Sequence, residues 1–276
     1  MTNVALNDGE TRFAFGENWR AFLQALDEDR IDEAVRSLTE MLGADSLEGC
    51  RFLDIGCGSG LFSLAAYRMG ASVVSVDFDA DSVGCTEELK RRYGGDGDWS
   101  VQQGSVLDAS LMSDLGVFDV VYSWGVLHHT GQMNHAIELA SQRVDDGGKF
   151  FIAIYNDQGG GSRRWLAIKK TYHRLPRLLR PLWVTAVAGV FEFKFALARF
   201  ARLKNPLPFA DWHAKKKDRG MSAWHDWVDW IGGMPFEVAK PEDVIVPLAG
   251  RGFVLENLKT VGSGWGCNEY VFRKEG

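Results

Sequence analysis

The sequence has little of what staples a small fold or holds a metal. Its four cysteines, Cys50, Cys57, Cys85 and Cys267, are scattered through 276 residues. No pair has the spacing of a zinc ligand set, and no His/Cys/acid cluster does either, so no metal site is expected. With no secretory context the scatter also argues against a disulfide framework and for a reducing cytoplasm. The opening MTNVALNDGETRFAF lacks a basic start followed by an apolar run, so no signal peptide is expected. Repeats and low-complexity segments are missing as well. The glycine-rich run RFLDIGCGSGLF (51–62) has no Gly-Lys-Ser/Thr after it, which excludes a P-loop. It has Leu61 where a dinucleotide fingerprint needs its third glycine.

What is present is an ordinary globular composition, 46% hydrophobic and 25% charged, enough for one large domain or one domain with a sizeable insertion. The net charge of −6 conceals a segregation. Residues 156–217 hold 14 Lys+Arg against 3 acids, leaving 17 and 34 for the rest, from totals of 31 and 37. So basic a middle segment meets something anionic, or docks on its own acidic partner domain.

Strand and helix signals alternate from residue 51 onward. RFLDIG (51–56), SVVSVD (72–77), WSVQQG (99–104), FDVVYSW (118–124) and GGKFFIAIYN (147–156) read as strands. Helices are expected over 17–43, 60–70, from 78 through Arg92, and over 134–144. Strands apolar over most of their length belong in a sheet covered on both faces. The alternation predicts an α/β fold, a doubly wound, mostly parallel sheet with its ligand at the carboxyl ends of the strands. After Asn156 the pattern breaks into helical segments. One of them, PLWVTAVAGVFEFKFALARFARL (181–203), is very apolar, yet Glu192, Lys194, Arg199 and Arg202 interrupt it and argue against an easy transmembrane span. A Trp-rich run, MSAWHDWVDWIGG (221–233), follows, and GFVLENLKTVG (252–262) and NEYVFRK (268–274) return to strand character.

The residues around the glycine loop define its ligand. Gly56, Gly58 and Gly60 let a loop pass close to a small molecule. Asp54, two residues earlier, is badly placed for a pyrophosphate and well placed for a positive charge. Asp77 ends the second strand, where an acid accepts bonds from both hydroxyls of a ribose. Gly104, Ser105 and Val106 follow the third strand, within reach of a base edge. Together they call for a nucleoside carrying a cationic group and no phosphate.

At these residues the chain resembles the class I S-adenosylmethionine-dependent methyltransferases, in the small-molecule branch similar to ubiquinone- and menaquinone-type methyltransferases. LDIGCGSG, VSVDFD, GSVLD and FDVVYSWGVLHHT look like its four motifs in order. The resemblance covers about residues 50–156 and the last two strands. It implies a Rossmann-like methyltransferase fold: a seven-stranded sheet, its last strand antiparallel, with a long helical cap insertion before the last two strands. The parts would be an N-terminal helical lid (1–48), a cofactor-binding core (49–156), a basic, Trp-rich cap (157–250) and the closing strands (251–276). The implied cofactor is S-adenosylmethionine, with S-adenosylhomocysteine as product. Asp54 would contact the amino group of the methionine part. Gly56, Cys57, Gly58 and Gly60 would form the loop, Asp77 would hold the ribose, and Phe78 would lie on the adenine. Ser105 and Val106 would meet its edge, while Ser123 and Trp124 close over the methionine end. Trp19, in FAFGENW (13–19), is either part of an aromatic lid over the sulfonium or a helix anchor.

The implied reaction is methyl transfer to a small-molecule or lipid-like acceptor, at oxygen by preference, where a base is needed. His128 and His129 in LHHT are candidates, as are His225 and Asp226 in WHDWVDW; the tryptophans there line a substrate pocket or pack as core. Tyr155, Asn156 and, from GCNEY, Asn268 or Glu269 are expected near the mouth. The basic, apolar insertion fits peripheral contact with an anionic membrane through 157–217 at its inner, cytoplasmic face, against a rival reading as a cap over a soluble anion or a dimer interface. Nucleic acid is not expected, for no nucleic-acid module is recognisable. The oligomeric state stays open. An NAD-dependent oxidoreductase and a non-catalytic nucleoside-binding module are the alternatives, the first disfavoured by Leu61 and Asp54.

Overall fold

Seven runs pair into one sheet, whose central strands are apolar enough to bury both faces, while the two edge strands stay partly exposed. In the computed structural model, which describes residues 4–5, 11–12, 26–95, 97–203, 205 and 223–276, a short pair, β1 (Val4–Ala5) and β2 (Thr11–Arg12), stands apart from it. The sheet is built from β3 (Arg51–Ile55), β4 (Ser72–Asp77), β5 (Trp99–Gln103), β6 (Phe118–Trp124), β7 (Val144–Tyr155), β8 (Phe253–Lys259) and β9 (Cys267–Lys274). Their order is β5-β4-β3-β6-β7-β9-β8. The first five run parallel, and β9 lies antiparallel to both β7 and β8. Strand order reverses between β3 and β6, so a crevice opens at their carboxyl ends, which is where such sheets bind ligands.

Period-two alternation sorts the side chains onto two faces. Phe52, Val73, Tyr122, Phe151 and Val271 turn to the helices α1 (Glu28–Leu42), α2 (Leu61–Arg68) and α3 (Ala80–Tyr93), where Ile31, Leu38, Leu64 and Leu89 meet them. Leu53, Val121, Phe150, Ile152 and Phe272 turn the other way. They meet Met112 of α4 (Ala109–Asp114), Ile137 of α5 (Met133–Ser141) and Val244 and Leu248 of α9 (Pro241–Ala249). Each such side chain, fully buried, contributes roughly 1.5–3 kcal/mol.

Helix ends follow local chemistry. Asp27 caps α1 by accepting from the Arg30 N–H, and Gly43, at φ 63°, closes it in the left-handed region. The expected helix over 134–144 stops earlier, at Ser141. Val144 has already joined β7, pairing with Phe118, which makes that strand longer than expected at its start. Helix α4 lies where no helix is expected from the apolar pattern, whereas α9, with Pro247 inside it, falls within the expected helical cap (157–250) and packs on the sheet.

Contacts divide the chain into two units. One comprises Ala14–Gly159 and Pro235–Gly276 with Met1; the other comprises Thr2–Phe13 and Gly160–Met234. The second unit has α6 (Gly160–Arg174), α7 (Arg180–Ala201) and α8 (Ala223–Gly232). An aromatic stack holds them: Trp165 on Phe191 at 5.0 Å, Trp165 on Trp230 at 5.7 Å, and Phe191 on Trp227 at 5.9 Å. Lys169 Nζ and His173 Nε2 meet the Trp230 and Gly232 carbonyls at the α8 carboxyl end, where a donor satisfies unpaired C=O groups.

Candidate active site

The glycine loop gets its shape from backbone sterics. Gly56, Gly58 and Gly60 have φ of 79°, 55° and 80°, a region costly for residues with a Cβ. A Cβ on Gly56 would lie 2.3 Å from the Val126 side chain, and one on Gly60 2.9 Å from Thr86. Two of the three glycines are therefore pressed against protein.

Asp77 ties this loop to the next one. Its Oδ2 accepts the Gly58 N–H at 2.9 Å and its Oδ1 accepts the Asp79 N–H at 2.8 Å. The Phe78 backbone adds a third bond, and since a carboxylate accepts about four, capacity remains for a ribose hydroxyl. Burial pushes Asp77 up to about 6, while the bonds from Asp79 and Gly58 pull it back.

Asp54 sits at the other side of the loop and is 2% exposed. It accepts the Ser63 hydroxyl at 2.5 Å and a bond from the Ser63 backbone. Ser63 is the third residue of α2, whose cap Gly60 has no side chain to offer. Asp54 thus supplies the anion that the helix N-terminus favours. Burial pushes it up to about 7, opposed by the Ser63 bond and helped by the Asp77 charge.

The remaining predicted residues fall at neighbouring strand ends. Cys57 is buried, its Sγ accepting from Thr86 Oγ1 at 3.2 Å, and burial raises its thiol well above the usual range. Phe78 and Trp124, 37% and 42% exposed, are large aromatics open to solvent beside the crevice. Ser105 Oγ accepts the Leu107 N–H, and Val106 is buried. Ser123 is fully buried and donates to the Ile55 carbonyl at 2.9 Å, which joins the ends of β6 and β3.

Beyond β6, residues Leu127–His129 form a 3-10 turn. His128 is fully buried, its ring against Tyr155 at 3.9 Å, and its Nδ1 accepts the Tyr155 N–H at 3.4 Å. His129, half-buried, has its Nδ1 2.6 Å from the Pro235 carbonyl. A carbonyl only accepts, so that nitrogen carries the proton and Nε2 the lone pair. Asn268 is buried, accepts the Val261 N–H and donates to Asn156, which in turn donates to Gly262 and Gly264. That pair binds the loop between β8 and β9. His225 and Asp226 fall in α8, with side chains outside the described residues, and Trp19 lies outside them too.

Two contributors were not singled out among the sequence motifs, although Val126 falls within FDVVYSWGVLHHT and Ser75 within VSVDFD. Val126 packs on Gly56, and Ser63, Ser75 and Trp99 form a buried chain to Asp54. The available signal was a serine in each of two apolar runs, SVVSVD and GLFSLAA, where a hydroxyl must find an internal partner.

The profile of a family described as a methyltransferase domain matches residues 26–218. Among curated proteins, the ubiquinone biosynthesis O-methyltransferase of Rhizobium johnstonii (strain DSM 114642 / LMG 32736 / 3841) is 31% identical over 148 residues, 50% of this chain and 57% of the relative. That of Agrobacterium fabrum (strain C58 / ATCC 33970) is 34% identical over 110 residues, 40% and 42%. The chain thus spans about half the length of the curated relatives it matches. Among solved structures, magnesium protoporphyrin IX methyltransferase from Synechocystis PCC 6803 with bound SAH aligns at TM-score 0.52 and 15% identity, over 89% of this chain and 82% of that one. PKMT2 from Rickettsia typhi in complex with AdoHcy aligns at 0.54 and 15%, over 87% and 52%. At such identity these two speak for the fold alone. The profile match runs through most of the sheet and past it, and the chain belongs to the methyltransferase domain family.

Proposed function

We propose that the chain is an S-adenosylmethionine-dependent methyltransferase that methylates an oxygen of a small, lipid-like acceptor. The observation that carries this reading is the pair of acids flanking the glycine loop, Asp54 fully buried and Asp77 half-buried. In a dinucleotide site the N-terminus of α2 would hold the pyrophosphate. Here Asp54 already occupies that N-terminus, so a phosphate would meet a carboxylate. An ammonium group suits the same place. This disfavours the NAD-dependent oxidoreductase, and the family disfavours a module that only binds nucleosides.

In this reading Asp77 orients the ribose, Asp54 the methionine amino group, and Phe78 and Trp124 cover the adenine and methionine ends. Ser105 and Val106 border the base, and Gly56, Cys57, Gly58 and Gly60 line the loop. When bound, S-adenosylmethionine supplies an activated methyl on sulfur, so the protein's work is alignment, exclusion of water and proton removal. An oxygen acceptor must lose a proton. Of the adjacent histidines, we assign that step to His129. Its Nδ1–H is fixed on the Pro235 carbonyl and its Nε2 holds the lone pair. His128 is fully buried, accepts the Tyr155 N–H at Nδ1, and acts by holding Tyr155 in place. His225 and Asp226 stay as acceptor-side candidates.

The quinone-type acceptor is supported by the relatives named as ubiquinone biosynthesis O-methyltransferases. A lipid-like acceptor also fits the apolar, basic helix α7, which we take to meet an anionic membrane peripherally from the cytoplasmic side. The reading is tested by thermal unfolding with S-adenosylmethionine, S-adenosylhomocysteine and NAD, on wild type and Asp77→Ala. Stabilisation by the first two, lost in the variant, is the expected result. Stabilisation by NAD alone would overturn it. Methylation of a polyprenyl phenol carrying a free ortho hydroxyl then checks the acceptor.

A further inference from the structure

A line of hydrogen bonds runs through the buried side of the sheet to Asp54. Trp99 Nε1 lies 2.8 Å from Ser75 Oγ, Ser75 Oγ 2.7 Å from Ser63 Oγ, and Ser63 Oγ 2.5 Å from Asp54 Oδ2. Trp99 and Asp54 are each 2% exposed and both serines are fully buried. The register explains the alignment. Asp54 pairs with Ser75 across β3 and β4, so the two side chains share a face, and α2 lowers Ser63 onto that face.

With Asp54 ionised, the direction of every bond is fixed. An ionised carboxylate only accepts, so the single hydroxyl proton of Ser63 is spent on Asp54. Ser75 must then donate to Ser63. The indole N–H can only donate, and it fills the acceptor site on Ser75. Three dipoles therefore point the same way, toward the carboxylate, and each polarises the next.

We propose that Trp99, Ser75 and Ser63 are positioning residues of the cofactor pocket: a one-way relay that holds Asp54 ionised and aimed for the amino group of the ligand. The proposal rests on the methyltransferase reading of the site. Ionisation here is hard to hold, because burial opposes it and the Ser63 bond is what favours it. A relay serving only to satisfy buried hydroxyls would need no fixed direction toward an acid. Ser63 touches Asp54 directly, whereas Ser75 and Trp99 act through it.

The test uses Ser75→Ala, which removes one hydroxyl at little change of shape, and Trp99→Phe, which removes the indole N–H together with part of a buried ring and is therefore read against its own thermal stability, with Ser63→Ala as the severe case. Affinity is measured by calorimetry between pH 5.5 and 8.5 for S-adenosylmethionine and for 5′-methylthioadenosine, which keeps the nucleoside and lacks the amino acid part. The titration of Asp54 is followed by carboxyl-carbon NMR on the free protein. Losing the bond to the carboxylate itself predicts about tenfold weaker S-adenosylmethionine binding near neutrality in Ser63→Ala, and either upstream variant, which only weakens that bond's polarisation, predicts a smaller loss in the same direction. The midpoint of its pH dependence and of the Asp54 titration should move upward, and 5′-methylthioadenosine should bind as to wild type. Equal losses for both ligands, or an unmoved Asp54 titration, would overturn the relay while leaving the methyltransferase reading intact. A wild type that binds 5′-methylthioadenosine but gains nothing from the amino acid part would overturn the relay's purpose. A wild type that binds neither molecule would overturn both.

Discussion

Asp54 and Asp77 give the site a pH dependence of known sign. Burial lifts Asp54 from its ordinary 3.8 to about 7, and Asp77 to about 6. Between 3.8 and those values the folded chain holds protons that the unfolded chain has released. Their contribution to stability is thus fully present below 3.8 and is lost as pH rises through about 6 to 7. Ligand binding has the opposite slope, because an ammonium group needs Asp54 ionised. Stabilisation of the protein by S-adenosylmethionine should therefore grow from pH 5.5 to pH 8, and affinity should fall about tenfold per unit on the acid side. Thermal unfolding in paired buffers, with and without S-adenosylmethionine, checks both slopes. Asp54→Asn should flatten the affinity profile. At the same scale, His129→Gln should cut turnover by about 10²–10⁴ and leave S-adenosylmethionine affinity unchanged. His128→Gln should act mainly on stability, as expected of a ring buried against Tyr155. Turnover and binding measured on the same preparations separate the two.

At the scale of elements, the strand-to-helix turn after β3 is held by packing as much as by any ligand. Gly56→Ala puts a methyl 2.3 Å from Val126 at a φ of 79°. The left-handed conformation alone costs about 1–2 kcal/mol, and the clash adds to it. Gly56→Ala should lower the urea midpoint clearly, and Val126→Ala in the same chain should restore part of the loss by opening the space. Equal losses in the single and double variants would show that backbone strain, not Val126, decides. This turn also shows where the sequence was legible. A glycine loop between an apolar strand and a helix needs no tertiary context, so Gly56, Gly58, Gly60, Asp54 and Asp77 stood out, and each of the seven sheet strands lies on an expected run. Val126 is 70 residues away from Gly56 in the chain and has no local signature. The relay joins residues from α2, β4 and β5, and only the register of the sheet brings them together. Helix α4 is 6 residues long, too short for a helical apolar period that a sequence can show. The tryptophans of α8 look like a pocket or a core in the sequence. Trp227 and Trp230 stack within the second unit, which is the bland alternative of the two.

Over the whole molecule, charge and apolar surface are concentrated in the same place. The basic segment includes helix α7, and with the preceding turn this helix is long and apolar enough, by length and composition, to cross a membrane. Glu192, Lys194, Arg199 and Arg202 argue against a span, but they cluster in the second half and leave residues 181–191 uncharged. Only 11% of the most apolar 18-residue stretch of this helix is buried. Leu182, Val190, Phe193, Leu197 and Phe200 are each more than half exposed, at 66%, 54%, 69%, 59% and 67%. Their spacing puts them on one stripe of the helix. Val184 and Val187 face inward instead, and Phe191 stacks on Trp165. A helix that keeps an inward face for its own unit and an apolar outer stripe bordered by cations is suited to lie in a bilayer surface. Spanning would strip Val184, Val187 and Phe191 of their packing. The protein should therefore float with vesicles containing phosphatidylglycerol at low salt and less so with purely zwitterionic vesicles. Binding should weaken as salt screens the basic residues. Phe193→Ser with Phe200→Ser should reduce flotation and leave S-adenosylmethionine affinity unchanged, since the sheet unit holds that site. Flotation that survives high salt and alkaline carbonate would mean that the helix inserts through the bilayer. No flotation at low salt would leave the stripe to another apolar partner and remove the membrane from the account of the acceptor.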